Sequence, residues 1–127
     1  MRQDVSKVIQ NGTMYVDDVF STVTKFPWHH KNYYSEWLAQ TYFYVSHTTR
    51  MLALATSKFS INEKSFHMKF IELINEEKGH EKLAEFDLKQ LGFATSSFAE
   101  LPETSAIYHA LSHLAASNRP PAARDRA

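Results

Sequence analysis

No cysteine occurs in the 127 residues. Disulfides, thiolate zinc sites, iron–sulfur clusters and cysteine nucleophiles are thereby excluded. Any metal would have to be held by His, Asp, Glu, Tyr or backbone oxygens. Glycine and proline are scarce, at 3 and 4 residues, so the chain has few places to turn and reads as long helices. Charge of either sign is not in excess: 14 basic residues face 14 acidic ones. A nucleic-acid surface, which usually shows as net positive charge, is not expected. Long hydrophobic runs are missing too. The start, Met1-Arg2-Gln3-Asp4, lacks a signal-peptide core, and no stretch approaches a membrane span. The expectation is a cytoplasmic protein with neither nucleic-acid nor membrane partners. There is no glycine-rich phosphate loop, no G-x-S-x-G nucleophile turn and no EF-hand loop.

What is present is a globular composition, 43% hydrophobic and 13% aromatic, on a chain long enough for one modest core. The expected organisation is a single helical domain over residues 1–116 and a disordered tail over 117–127. The tail has no large apolar residue, and it holds three arginines against two in the preceding 116 residues. That shift in composition is sharp enough to suggest a foreign or frame-shifted end.

Hydrophobic spacing predicts five helices, an all-α bundle. The first runs from Asp4 to Ile9 and stops at Asn11-Gly12. The second starts near Thr13, carries Val16, Val19, Phe20 and Val23, and ends before Pro27, whose ring disfavours helix in the residue before it. The aromatic linker Phe26-Pro27-Trp28-His29-His30 is expected to pack. The third helix spans Asn32 to Lys58 and is apolar on two sides, as a central bundle helix should be. On one of those sides lie Glu36, Gln40, Phe43, His47 and Met51. The fourth runs from about Asn62 or Lys64 to Leu91, with Gly92 as its C′ residue. The fifth follows Pro102, over Glu103 to Leu114. Two long helices apolar on more than one face cannot cover each other, so a large exposed apolar surface is expected. A homo-oligomer follows, in which a second copy replaces missing helices.

The polar residues inside these stripes are the candidates for chemistry. On a continuous fourth helix, Glu77 falls in the stripe Phe66, Phe70, Leu73, Ala84, Leu88, with His80 on its flank. A carboxylate there must be paired, neutralised or metal-bound, because removing it from water is costly. Glu-x-x-His is the spacing by which helical bundles hold iron or manganese pairs. The competing reading is a structural hydrogen bond or salt bridge. His47 is either a ligand from a second helix or a satisfied core histidine. Seven residues along a helix span roughly 10 Å, which separates Gln40 and Glu36 from an ion at His47. His109 and His113, four apart, can chelate a metal or simply stand at the surface. His29, His30 and His67 carry less.

Two segments together resemble a known family. They are Trp37-Leu38-Ala39-Gln40-Thr41-Tyr42-Phe43-Tyr44-Val45-Ser46-His47-Thr48-Thr49-Arg50-Met51-Leu52-Ala53-Leu54-Ala55, and Glu76-Glu77-Lys78-Gly79-His80-Glu81-Lys82-Leu83-Ala84-Glu85-Phe86-Asp87-Leu88-Lys89-Gln90-Leu91-Gly92. They resemble the first two core helices of the haem-oxygenase-like, iron-containing redox enzymes. TenA-type thiaminases and the pyrroloquinoline-quinone synthase share that superfamily. The resemblance covers roughly residues 26 to 113.

The resemblance implies a haem-oxygenase-like helical bundle holding two irons, with manganese as a substitute, that activates dioxygen to oxidise a small organic substrate. It implies metal ligands at Glu77, His80 and His47. Where many members place a carboxylate on the earlier helix, this chain offers Glu36 or only the amide of Gln40. Members are usually about twice as long, and a later helix with an Asp or Glu close to a His supplies their remaining ligands. The chain is therefore expected to be the N-terminal half of such a bundle, an oxidoreductase whose activity in this truncated form the resemblance leaves open. Two alternatives are a non-catalytic helical dimerisation or binding module and a ferritin-like iron-binding bundle. The second has one Glu-x-x-His copy here where two are usual. Haem binding would need an axial histidine, for which His29 or His30 is only a loose match.

Overall fold

The computed structural model of the chain describes residues 5–117, and every regular element among them is helical. Six α-helices occur: α1 (Val5–Lys25), α2 (Lys31–Val45), α3 (Thr48–Thr56), α4 (Lys64–Glu77), α5 (Glu81–Gln90) and α6 (Pro102–Ala116). Short 3₁₀ turns at Ile61–Glu63 and Thr95–Ser97 join α3 to α4 and α5 to α6. The all-α expectation holds. The expected tail, apart from Ser117, lies outside the described residues. The described chain divides into two compact units, one ending at Tyr34 and the other beginning at Ser35.

In the first unit, α1 replaces the two helices expected there. Asn11-Gly12 does not stop it, because the apolar positions stay in helical register across the glycine and the Thr13 hydroxyl donates back to the Ile9 carbonyl at 3.0 Å. A mid-helix glycine costs only about 0.5–1 kcal/mol, too little to outweigh 21 residues in phase. After α1 the aromatic linker folds on itself, as expected. Trp28 Nε1 donates to the Val23 carbonyl at 2.7 Å, and its ring lies 4.5 Å from Phe26 and 6.3 Å from Tyr34.

In the second unit, α3 packs on both α4 and α6. The expected long third helix is two helices, α2 and α3, separated at Ser46-His47. The run Tyr42-Phe43-Tyr44-Val45 is aromatic and β-branched and has weak helix propensity. The Ser46 hydroxyl bonds back to the Tyr42 carbonyl at 2.6 Å, a habit that bends helices. The expected fourth helix is also divided. Gly79, at φ +85°, takes the left-handed conformation that ends α4 and lets α5 start in a new direction.

The stop at Gly92 is as expected. Gly92 N–H donates to the Lys89 carbonyl and Phe93 N–H to the Leu88 carbonyl, each at 3.0 Å, the paired bonds of a Schellman ending. Ahead of α4, the 3₁₀ turn Ile61–Glu63 opens on a capping box in which the Glu63 carboxylate accepts from Ser60 N–H at 2.8 Å. The α3–α4 corner is filled by Phe59, set against Phe66 at 6.0 Å and Phe70 at 5.0 Å.

The core is small. Its buried apolar residues are Leu38, Ala39, Ala84 and Leu88, and Ser35, Thr56 and Thr104 are buried beside them. Against these four, 24 large apolar residues are exposed among the described residues. The expected excess of apolar surface is present, and it belongs to both units.

Candidate functional site

The structure brings Glu77 and His80 together, though not as a helical face would. Glu77 is the last residue of α4 and His80 precedes the first residue of α5, with the Lys78-Gly79 turn between them. His80 Nδ1 lies 3.1 Å from Glu77 Oε2. The side chains are 36% and 47% exposed for Glu77 and His80. This corrects the expectation of a carboxylate sunk in an apolar stripe. The bend at Gly79 rotates the pair out of the stripe, so hydration already stabilises the charge. An exposed pair of this kind contributes less than about 1 kcal/mol, so stability does not explain it. A side chain at Gly79 would meet nothing within 4 Å, so the space around the turn is open.

His47 is placed apart from that pair. It sits at the α2–α3 corner with its ring stacked on Tyr108 of α6, at 3.8 Å between centroids and 15° between planes. Among the described residues, no three His, Asp or Glu side chains stand together as a metal site would require. His109 and His113 both lie on α6 and are exposed.

Gln40 and Glu36 form a joint that the sequence did not reveal. Gln40 Nε2 donates to Glu36 Oε1 at 2.8 Å and to the Ala99 carbonyl at 2.9 Å. Its Oε1 accepts from Leu101 N–H at 3.0 Å and from the Thr104 hydroxyl at 2.6 Å. Both amide donors and both acceptor sites are used. Helix α6 starts at Leu101-Pro102 with no capping side chain of its own, and the α2 amide takes up the polar groups at that start. A signal for this was available: a helix opening on Leu-Pro must find its acceptor elsewhere in the fold.

Beneath His47, the Tyr108 hydroxyl donates to Glu100 at 3.2 Å. Its pKa is raised above the ordinary tyrosine value, first by desolvation, then by the hydrogen bond to Glu100 and that carboxylate's charge. A raised pKa means that the folded state holds the proton more tightly than the unfolded chain does. The associated stability is therefore complete below the ordinary tyrosine pKa and is lost as pH climbs through the raised value. In an alkaline absorbance titration, the phenol lost in Tyr108→Phe should be one that ionises above the ordinary tyrosine value, and Glu100→Gln should bring it earlier. A Tyr108 ionisation that Glu100→Gln leaves unmoved would count against the Tyr108–Glu100 contact.

No protein-family model matches the chain, and no curated protein matches it. Among solved structures, the chain is similar to a domain of unknown function with a haem-oxygenase-like fold from Shewanella denitrificans OS217, at a TM-score of 0.73 and 24% identity. The match covers 94% of this chain and 55% of that one. The fold is thus haem-oxygenase-like, and the chain spans about half the length of its structural neighbour. No helix among the described residues is long and apolar enough to cross a membrane.

Proposed function

We propose that the chain is the N-terminal half of a haem-oxygenase-like, metal-dependent oxidoreductase unit, to which Glu77 and His80 contribute a carboxylate–imidazole donor pair. The observation that carries this is their convergence to 3.1 Å at an open, solvent-facing turn in a haem-oxygenase-like fold. Carboxylate oxygen and imidazole nitrogen suit iron, and manganese after it. Two donors are a fragment of a coordination sphere, so the pair fits as part of a site whose other ligands come from outside it. His47 is the nearest candidate by resemblance, and it would have to leave the Tyr108 ring. Iron held there would supply the activation of dioxygen for a small organic substrate. The chain's own part is to present the pair on the α4–α5 turn, with Gly79 setting the angle between the two side chains.

Anaerobic Fe(II) titration of the full chain tests this. His109→Ala/His113→Ala serves as the parent, so that the exposed α6 histidines do not contribute metal. Iron held by this two-donor pair, weakly in the chain alone, should be lost in Glu77→Gln and in His80→Ala. On exposure to oxygen, the loaded parent should develop a near-ultraviolet charge-transfer band. Iron retained unchanged by both variants would sink the reading.

A second reading, a non-catalytic helical binding module, is favoured by the apolar surface that both units leave exposed. The ferritin-like alternative gains nothing, because Gly79 takes the single Glu-x-x-His off a continuous helix.

A further inference from the structure

Seven histidines occur in the chain, and most are engaged. His47 is stacked on Tyr108, and His67 Nδ1 lies 3.3 Å from the Thr56 carbonyl. His80 meets Glu77, and His30 leans on Tyr33 at 4.7 Å. His109 and His113 differ. Both are exposed, and neither ring forms a hydrogen bond or ion pair among the described residues. All four ring nitrogens of the pair are free to meet a ligand. Their four-residue spacing within α6 puts both on one face, with Cβ atoms about 5–6 Å apart. From there one nitrogen of each ring can reach a single ion at about 2.0–2.1 Å.

Three features beyond the spacing favour a bound ion. The first is a fixed backbone. Helix α6 is unbroken over 15 residues. It is held at its start by Gln40 and in its middle by the stack of Tyr108 on His47. Its last turn is closed by Ser117 N–H, which donates to the His113 carbonyl at 3.0 Å. The His109 ring also rests against Tyr108, at 4.8 Å and 35°, which narrows the orientations it can take. Ligands on a regular, packed element lose little freedom on binding. The second is electrostatic. Helix α6 has no lysine or arginine to repel a dication. His113 stands in its last turn, where the helix dipole favours positive charge. The third is the donor set. Among the described residues no third His, Asp or Glu joins the pair. Imidazole nitrogen suits zinc, nickel and copper(II), whereas magnesium and calcium require oxygen ligands. Two protein donors leave the other positions to water, so the ion is exchangeable rather than locked in a closed structural site.

From these we infer that His109 and His113 form a surface chelate for a borderline divalent transition metal. The site does not depend on the iron reading of Glu77 and His80. The test uses the full chain carrying Glu77→Gln/His80→Ala as the parent, so that failure of one reading leaves the other untouched. Zn(II), Cu(II) and Mg(II) are titrated into it by calorimetry in a non-coordinating buffer. The parent should bind about one Zn(II) or Cu(II) per chain, Cu(II) the tighter, and should give no Mg(II) isotherm. His109→Ala and His113→Ala should each abolish that binding, with helical circular dichroism retained. Leu111→His/His113→Ala keeps the number of histidines but sets the second imidazole about 200° around the helix from the first. It should abolish the binding as well, and with it the two-nitrogen superhyperfine pattern in the Cu(II) electron paramagnetic resonance spectrum. A parent that binds neither ion overturns the proposal. So does binding that survives His109→Ala, His113→Ala or the change of register, because the histidines would then act singly or not at all.

Discussion

Leu88→Ala should cost about 3–5 kcal/mol, the range found when a fully buried leucine is truncated and its cavity persists. Leu88 is 0% exposed, and it is one of only four buried apolar residues among those described, two of which are alanines. Domains are held by about 5–15 kcal/mol in total, and a core this small belongs at the lower end. The substitution should therefore leave much of the chain unfolded at room temperature, and urea denaturation followed by circular dichroism would show the loss of the transition. Leu83, five residues earlier on the same helix, is 65% exposed. Leu83→Ala should change stability by no more than about 0.5 kcal/mol. A large cost at Leu83 would mean that another surface covers that face of α5 in solution. A small cost at Leu88 would mean that α5 does not bury the residues assigned to it.

The same helix shows how far the sequence could be read. Its end was legible because Gly92 sits where the apolar stripe stops, and the Schellman bonds form there. The start of α6 was legible from Pro102. The division at Gly79 was not. A glycine inside an otherwise periodic segment is tolerated in one place and ends the helix in another, and the local sequence does not say which. Gly12 and Gly79 make the contrast. Gly12 lies inside an unbroken helix, whereas Gly79 takes φ +85° between two helices. The expected burial of Glu77 failed for this reason, since it assumed one straight helix on both sides of Gly79.

The Ser46-His47 break was concealed in the same way, by an apolar stripe that continued through residues of weak helix propensity. His47 was picked out as a histidine among apolar neighbours, but its partner, Tyr108, is 61 residues away and carried no local mark. The apolar stripe of α1 was half legible. Val16, Val19, Phe20 and Val23 stood out, but its full length appeared only once the helix was seen to pass through Gly12.

The most consequential polar residue for stability should be Gln40. In Gln40→Leu, the Ala99 carbonyl, Leu101 N–H, Thr104 hydroxyl and Glu36 carboxylate each lose a partner. Thr104 is 7% exposed, so its hydroxyl has little water to replace the loss. The bonds to Ala99 and Leu101 are solvent-exposed, so water replaces part of them, and at about 1 kcal/mol per bond before that discount the loss should be about 2–4 kcal/mol. The start of α6 should fray first, which amide hydrogen exchange over residues 101–105 would detect.

Gln40→Glu separates this structural role from a metal role. The resemblance to iron enzymes places a carboxylate on this helix, and a ligand role would predict tighter iron binding from the exchange. The geometry predicts otherwise. A carboxylate cannot donate to the Ala99 carbonyl, and it would face Glu36 across the 2.8 Å now spanned by a hydrogen bond. Repulsion should raise the introduced carboxyl's folded pKa above its unfolded value. Its penalty should therefore be full at neutral pH and shrink as pH falls toward the ordinary glutamate range, about 4.3. Gln40→Glu should thus be less stable than the parent at pH 7, recover in mild acid and bind no additional iron. An increase in iron affinity with stability intact would instead place Gln40 among the residues facing the metal.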